Sequence, residues 1–419
     1  MPRVQVRSIV ARVLPPFVLA GLLFALFPST ASAIPAWSRR YDVACSTCHY
    51  PAPPRLNTYG HKFRRAQYRL PEEFGKDADW KAVGNYVAMR ARARYEYDSP
   101  EQGFSGSPTG DDTVKNSFKL NDATFFFAGP IAKNFSGFVE LERPGDAAEI
   151  EAVVSIGGVR GTPDSFWTFR IGQFHTLSRV GFGGLDRPTG ISTPNALSRA
   201  LVSGNDFKLN QDQVGVEGTY VHGNHRFIGQ ILNGGDAADG KTTDRADQNR
   251  DKDYLLAWEM IWGDTASGLT VFSYDGTQNE YDDLTAPDVV SFNRYGVTAA
   301  QVWDNGFEVQ GGYVTGTDDY RLEPVPGIDS IDGDGYWLEI AKYWEKLHNL
   351  TIFGRFDSTD PNNDVDDDAR DQITLGLTWP VAEWHLRWAV ELRKISQDDV
   401  ATGKSFDDNQ AVAELMLNF

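Results

Sequence analysis

The chain has 419 residues, with 58 Asp and Glu against 40 Lys and Arg, and a formal net charge of −18. That balance argues against nucleic acid as a partner, and no nucleotide loop, nucleophile triad or zinc-protease motif occurs in the sequence. Hydrophobic residues make up 41%, with 40 glycines and 11 tryptophans, a composition of many turns and aromatic-rich strands rather than of two or three ordinary domains.

Residues 1–33 carry Arg3, Arg7 and Arg12, an apolar run from Val13 to Phe27, and then Ala31-Ser32-Ala33. This is the pattern of a secretory signal peptide with a small-residue cleavage site. The mature chain is expected to begin at Ile34 and, without those three arginines, to carry a charge of −21. As a membrane anchor the run falls short of the roughly 20 apolar residues a spanning helix needs, and it contains Pro15 and Pro16. No later stretch is long and apolar enough to span as a helix.

Residues 34–78 hold the two cysteines of the chain, in Cys45-Ser46-Thr47-Cys48-His49. This spacing attaches a c-type haem: both thiols add to the vinyl groups, and the next residue, His49, supplies the proximal axial nitrogen. The alternatives are a local disulfide or half of a zinc site. A four-cysteine site has no further cysteines to draw on, and no histidine pair at the usual gap of roughly three to five residues follows. For the sixth iron ligand, His61 is the second histidine of the segment, which contains no methionine. It lies on a helix expected to begin near Pro54. Met416, which points inward three residues from the end, and His175, which begins a long loop, are the other candidates, whereas Met89 and Met260 fall on an outward face. Arg64 and Arg65 are candidates to pair with the haem propionates, or else meet solvent or wall carboxylates. Arg90, Arg92 and Arg94 have the same two readings.

Residues 79–419 alternate with a period of two. In 86–97, Val87, Met89, Ala91, Ala93, Tyr95 and Tyr97 share one face, with Arg90, Arg92, Arg94 and Glu96 on the other. Tyr254, Leu256, Trp258, Met260 and Trp262 repeat the pattern, as do Ala413, Leu415, Leu417 and Phe419. Short turns at Gly223-Asn224, Asp304-Asn305-Gly306, Leu347-His348-Asn349 and Pro380-Val381-Ala382 alternate with long loops near 98–116, 176–211, 235–252, 277–288, 318–334, 358–370 and 397–408. The expected fold is mainly β: a transmembrane antiparallel barrel of about 16 strands, with arginines facing a polar lumen. A soluble β-sandwich alternates in the same way but does not crowd arginines opposite an oily face. A haem segment of about 45 residues is too small for a stable core of its own and is expected to dock in the lumen. Acid gathers in the long loops, at Asp236, Asp239, Asp244, Asp247, Asp251 and Asp253, at Asp318, Asp319, Glu323, Asp329, Asp332 and Asp334, and at Asp357, Asp360, Asp364, Asp366, Asp367 and Asp368. On this topology those loops face the cell exterior, where their field concentrates cations. The run 329–335, DSIDGDG, hints at calcium, although its carboxylate spacing misses the EF-hand loop.

The segment from Ile34 to Pro71, with its Ile34-Pro35-Ala36 start, the haem pentapeptide, then Pro54, Leu56, Asn57, Gly60, Phe63 and Tyr68, resembles the outer-membrane fused cytochrome-porin family, which includes iron-oxidising outer-membrane cytochromes. The resemblance implies one covalent haem c on Cys45, Cys48 and His49, a porin-like barrel behind it, and electron transfer across the bacterial outer membrane. In part of that family the electrons come from external ferrous iron, as an iron:cytochrome oxidoreductase. Expected partners are a periplasmic cytochrome or other redox protein, an extracellular metal ion or mineral, and outer-membrane lipid. Three competing functions stand beside this one: outward transfer to an extracellular acceptor, a selective porin with a structural haem plug, and peroxide or small-ligand chemistry at an open iron position.

Overall fold

A computed structural model describes residues 36–51, 53–79, 82–101, 114–144, 149–177, 188–234, 251–277, 289–320, 330–381, 385–399 and 403–419. The signal peptide expected over 1–33, the Ile34-Pro35 start, and Asp236, Asp239, Asp244, Asp247, Glu323 and Asp329 of the acidic loops lie outside the described residues.

Sixteen antiparallel strands close into one barrel. They are β1 (Val87–Pro100), β2 (Lys115–Pro130), β3 (Phe135–Pro144), β4 (Glu149–Thr162), β5 (Ser165–His175), β6 (Asp212–His222), β7 (His225–Leu232), β8 (Asp253–Trp262), β9 (Ser267–Thr277), β10 (Val289–Val302), β11 (Phe307–Tyr320), β12 (Ser330–Trp344), β13 (Leu350–Asp360), β14 (Arg370–Val381), β15 (Leu386–Asp399) and β16 (Lys404–Asn418). The seam is β1 against β16, from Arg90 opposite Asn418 to Pro100 opposite Asp408. Met89 and Phe419 finish it by exchanging N–H···O bonds of 2.6 and 3.0 Å. Closure leaves no strand edge with unpaired backbone groups, the condition for crossing a bilayer with strands.

The two-residue period decides which side chains face lipid. On β8, Tyr254 is 51% and Leu256 63% exposed, while Leu255 between them, and Ile261 further along the strand, are buried. Many inward positions carry paired charges. Arg170 of β5 lies 2.6 Å from Glu217 of β6, and Arg94 of β1 lies 2.7 Å from Glu414 of β16. The short connections include the two-residue turn between His222 and His225, where Gly223 has φ 56°, as the first position of a II′ turn requires.

Two inserts fill the lumen. The first is the N-terminal segment, with helices α1 (Ala36–Tyr41) and α2 (Thr58–Arg65). It is tied to the short-turn rim: the Thr58 N–H donates to Asp264 O at 3.1 Å, Asn349 Nδ2 to Pro51 O at 2.8 Å, and Arg69 Nη2 to Ala132 O at 3.0 Å. Trp37 stacks on Tyr68 with ring centroids 5.2 Å apart, and Tyr68 stacks on Phe138 of the wall at 4.9 Å. The second insert is the β5–β6 connection, which bends inward and carries the short helix α3 (Asn195–Ser198). Its Leu197, Leu201 and Phe207 join Phe63 and Tyr68 in a core that also includes Leu255, Tyr274 and Phe292 of the wall.

Three expectations need correction. Helix α2 starts at Thr58, not near Pro54, because Asn57 is its N-cap, its side chain accepting from the Gly60 N–H. Asp253, Asp318 and Asp357 are not solvated loop acids: the strands run further than the sequence pattern suggests and carry all three into the lumen, fully buried. There Asp318 pairs with Arg294, and Asp357 accepts from Arg355 Nε at 2.7 Å and from the Asn195 N–H at 3.0 Å. Buried carboxylates persist where such partners compensate them. Residues 330–335 of the calcium-like run are extended strand at the start of β12, with Asp332 and Asp334 bonded to Thr317 and Tyr313, not a loop wrapped on an ion.

Candidate haem site

The pentapeptide is wound into a tight turn: the Cys48 and His49 N–H groups donate to Cys45 O at 3.1 and 3.0 Å. A 3₁₀ turn brings residues i and i+3 onto one side, so both thiols face the same way. Asn57 holds this turn to α2. Its N–H donates to Cys48 O at 2.9 Å, its Nδ2 donates to Thr47 O at 3.0 Å, and its Oδ1 caps the helix at Gly60. Gly60 is the point of closest approach, where a Cβ would stand 2.2 Å from Cys48 O, so only glycine lets the helix lie against the turn.

His49 Nδ1 lies 2.8 Å from Arg55 O. A carbonyl only accepts, so Nδ1 carries the proton and the lone pair is on Nε2, the tautomer a metal-ligating imidazole needs. Arg55 is itself fixed: its guanidinium forms two bonds to Glu308, at 2.6 and 2.8 Å, and donates to Tyr343 Oη at 2.9 Å and to Thr189 Oγ1 at 3.0 Å. Burial alone would lower the pKa of Arg55, but Glu308, together with Glu339 and Tyr50, outweighs it and the guanidinium is held charged. One arginine therefore joins the N-terminal segment, the wall and the inward β5–β6 connection.

Cys45, Cys48 and His49 open on one cavity of about 500 Å³ inside the barrel. Cofactor sites span roughly 300–1,000 Å³. The β5–β6 connection contributes Ile191 and Thr193 to its wall, and β1 contributes Arg90 and Arg92. Burial, and secondarily the Cys45 thiol, pushes the Cys48 thiol up to about 11, so it is neutral at pH 7 before attachment. The donor set, the tautomer of His49, the glycine contact and the cavity together fit a covalently attached haem.

The other site candidates separate. Arg64 is on the cavity wall. Arg65 turns to the barrel, donating through Nε to Glu259 at 3.1 Å and through Nη1 to Asn224 O at 3.4 Å; burial lowers its pKa, which Glu259 partly opposes. His61 is buried, 5% exposed, on α2, and the cavity wall does not include it. His175 and Met416 are on that wall. Sequence reasoning named Asn57 only as a residue of the resemblance, without its role, and missed Arg55. An Asn three residues before Gly60 is a legible cap signal; Arg55 has none, because Glu308 is 253 residues away.

No protein-family model matches the chain, and no curated protein does. Solved structures do. An anion-selective porin from Comamonas acidovorans superposes with a TM-score of 0.55 at 11% identity, covering 80% of this chain and 98% of that one. The outer-membrane channel DcaP of Acinetobacter baumannii gives 0.51 at 12% identity, covering 80% and 97%. OmpT of Vibrio cholerae, an outer-membrane protein, gives 0.51 at 12% identity over the same shares. At such identities the likeness is one of fold: the chain is a 16-stranded barrel of the outer-membrane porin type.

Proposed function

We propose that this protein carries electrons across the bacterial outer membrane through one c-type haem held in a porin-like barrel. The observation that carries the reading is the convergence of Cys45, Cys48 and His49 on one luminal cavity, with His49 Nδ1 fixed by Arg55 O at 2.8 Å. When bound, such a haem supplies a one-electron carrier. The residues do the rest. The thiols of Cys45 and Cys48 would anchor it, His49 Nε2 would ligate its iron, and Arg64 on the cavity wall would suit its propionates, whereas Arg90 and Arg92 on that wall are already paired with Asp122, Glu140 and Glu142. The N-terminal segment obstructs the short-turn end of the lumen, so a donor and an acceptor approach from opposite sides. An external metal ion such as ferrous iron and a periplasmic redox protein fit those positions, and acid at the long-loop rim, such as Asp332 and Asp364, favours a cationic donor.

A second reading is a selective channel with a structural haem plug, and the porin and channel likenesses support it more directly than they support electron transfer. Two measurements separate them. Haem staining after denaturing electrophoresis is expected for the wild type and lost in Cys45→Ser/Cys48→Ser. Planar bilayers containing wild-type protein are expected to stay electrically silent, whereas steady single-channel conductance with the haem in place supports the channel.

A further inference from the structure

We infer that one small monovalent anion of the halide class, chloride in the cell, binds between the N-terminal segment and the barrel wall. The site is a second, small cavity of about 20 Å³, bordered by Arg64 and Gln67 of the segment and by Glu151, Arg170, Glu217 and Arg226 of β4–β7. That is room for one occupant of water size, and a chloride ion is little larger. The guanidiniums are fixed by acids already committed to them. Arg170 Nη2 donates to Glu217 Oε2 at 2.6 Å; Arg226 lies 3.5 Å from the same carboxylate and 4.0 Å from Glu259, which also pairs with Arg65. Glu217 has little left to give, because Gln230 Nε2 donates to its Oε2 at 2.7 Å and Thr219 Oγ1 to its Oε1 at 3.1 Å.

Two observations call for an anion. Arg170 is 8% exposed, and its Nε–H is buried without an acceptor in the protein. A buried donor left unmet is costly, more so on a charged group. The charges of the cluster also fail to balance. Arg64, Arg65, Arg170 and Arg226 stand against Glu151, Glu217 and Glu259, every one of them 8% exposed or less, which leaves one positive charge over among the described residues. A water molecule would meet the donor but not the charge, and an uncompensated charge is what a buried site excludes most strongly. A chloride ion meets both. Held by Arg170 and Arg226 of the wall and by Arg64 of the segment, it ties the segment to the barrel, and no haem is needed for it to do so.

The test uses full-length protein as purified from the outer membrane, in detergent, with bromide standing in for chloride. Crystals grown in bromide are expected to show an anomalous scattering peak within hydrogen-bond reach of Arg170 Nε. At fixed ionic strength the thermal midpoint is expected to be at least about 2 °C higher in chloride or bromide than in gluconate, an anion too large for the cavity, because a ligand of the folded state stabilises it. Gln67→Glu sets a carboxylate among the guanidiniums and is expected to abolish that difference by raising the gluconate midpoint. Arg170→Lys keeps the charge but loses the Nε–H, and is expected to abolish it by lowering the halide midpoint. Arg64 also borders the large cavity, so equal wild-type midpoints in halide and gluconate would mean that its charge is met from that side and that a water fills the small cavity, which overturns the site. A bromide peak without a difference in midpoints would be an adventitious ion only, and overturns it as well. So would a halide effect of undiminished size in Gln67→Glu, which would put the anion elsewhere on the protein.

Discussion

Arg55 and Glu308, 253 residues apart, form a buried two-pronged ion pair, Nη2 to Oε1 at 2.6 Å and Nη1 to Oε2 at 2.8 Å. The pair clamps the N-terminal segment to the barrel wall, and the carbonyl of the same Arg55 holds His49. Removing one partner of such a pair strands the other charge in the lumen, at a cost of about 3–5 kcal/mol. Glu308→Ala and Arg55→Ala are therefore expected to loosen the segment and to turn electrically silent bilayers into conducting ones. Arg55→Leu/Glu308→Leu, which buries no charge, is expected to conduct less than either single variant. Equal, silent traces from all three would show that the clamp does not hold the lumen closed.

Gly60 touches the Cys45–His49 turn through space that a methyl group would fill, 2.2 Å from Cys48 O. Gly60→Ala is expected to reduce the yield of haem-loaded protein sharply. Gly84→Ala, where a Cβ meets nothing within 4 Å, is expected to load normally. Haem staining normalised to total protein reads both.

Asn57 caps α2 and donates to Thr47 O at 3.0 Å. Asn57→Ala forfeits an N-cap worth about 1 kcal/mol, along with the link to the turn. The haem absorbance band is expected to melt at a lower temperature, while the barrel keeps its heat-dependent shift on gels. A loss of both together would place Asn57 in barrel assembly instead.

Asp368, in the β13–β14 connection, is pushed up to about 6 by burial and then by the neighbouring carboxyl of Asp360. A carboxyl with a raised folded-state pKa binds its proton more readily folded than unfolded, so its effect on stability improves as the pH falls through about 6 toward the ordinary value near 4. Exchange protection of this connection, corrected for the intrinsic pH dependence of amide exchange, is expected to be higher at pH 5 than at pH 7, and Asp368→Asn is expected to remove most of that difference.

The barrel was legible because lipid on one side and a polar lumen on the other write a period of two into every strand, as in Tyr254 to Trp262. The Cys45–His49 motif needed no distant information, because it is five consecutive residues. What stayed hidden is what depends on closure. Asp253, Asp318 and Asp357 read as loop acids until the strands carried them inward to partners such as Arg294 and Arg355. Likewise Arg65 sits beside Arg64 in sequence, yet helical geometry sends one to Glu259 and the other to the cavity. The inward course of the β5–β6 connection has no local signal either, since it is held by distant wall residues: the Ile191 and Ser192 N–H groups donate to Glu391 at 2.6 and 3.0 Å.

The most direct measurement uses sealed liposomes carrying the haem-loaded protein, with a ferric c-type cytochrome trapped inside and ferrous iron added outside. Reduction of the trapped cytochrome by wild-type protein, and its absence with Cys45→Ser/Cys48→Ser, is the expected result. Equal reduction rates with the two proteins would mean that iron leaks through an open barrel, and no reduction with either would mean that the haem does not pass electrons across; either result contradicts the account.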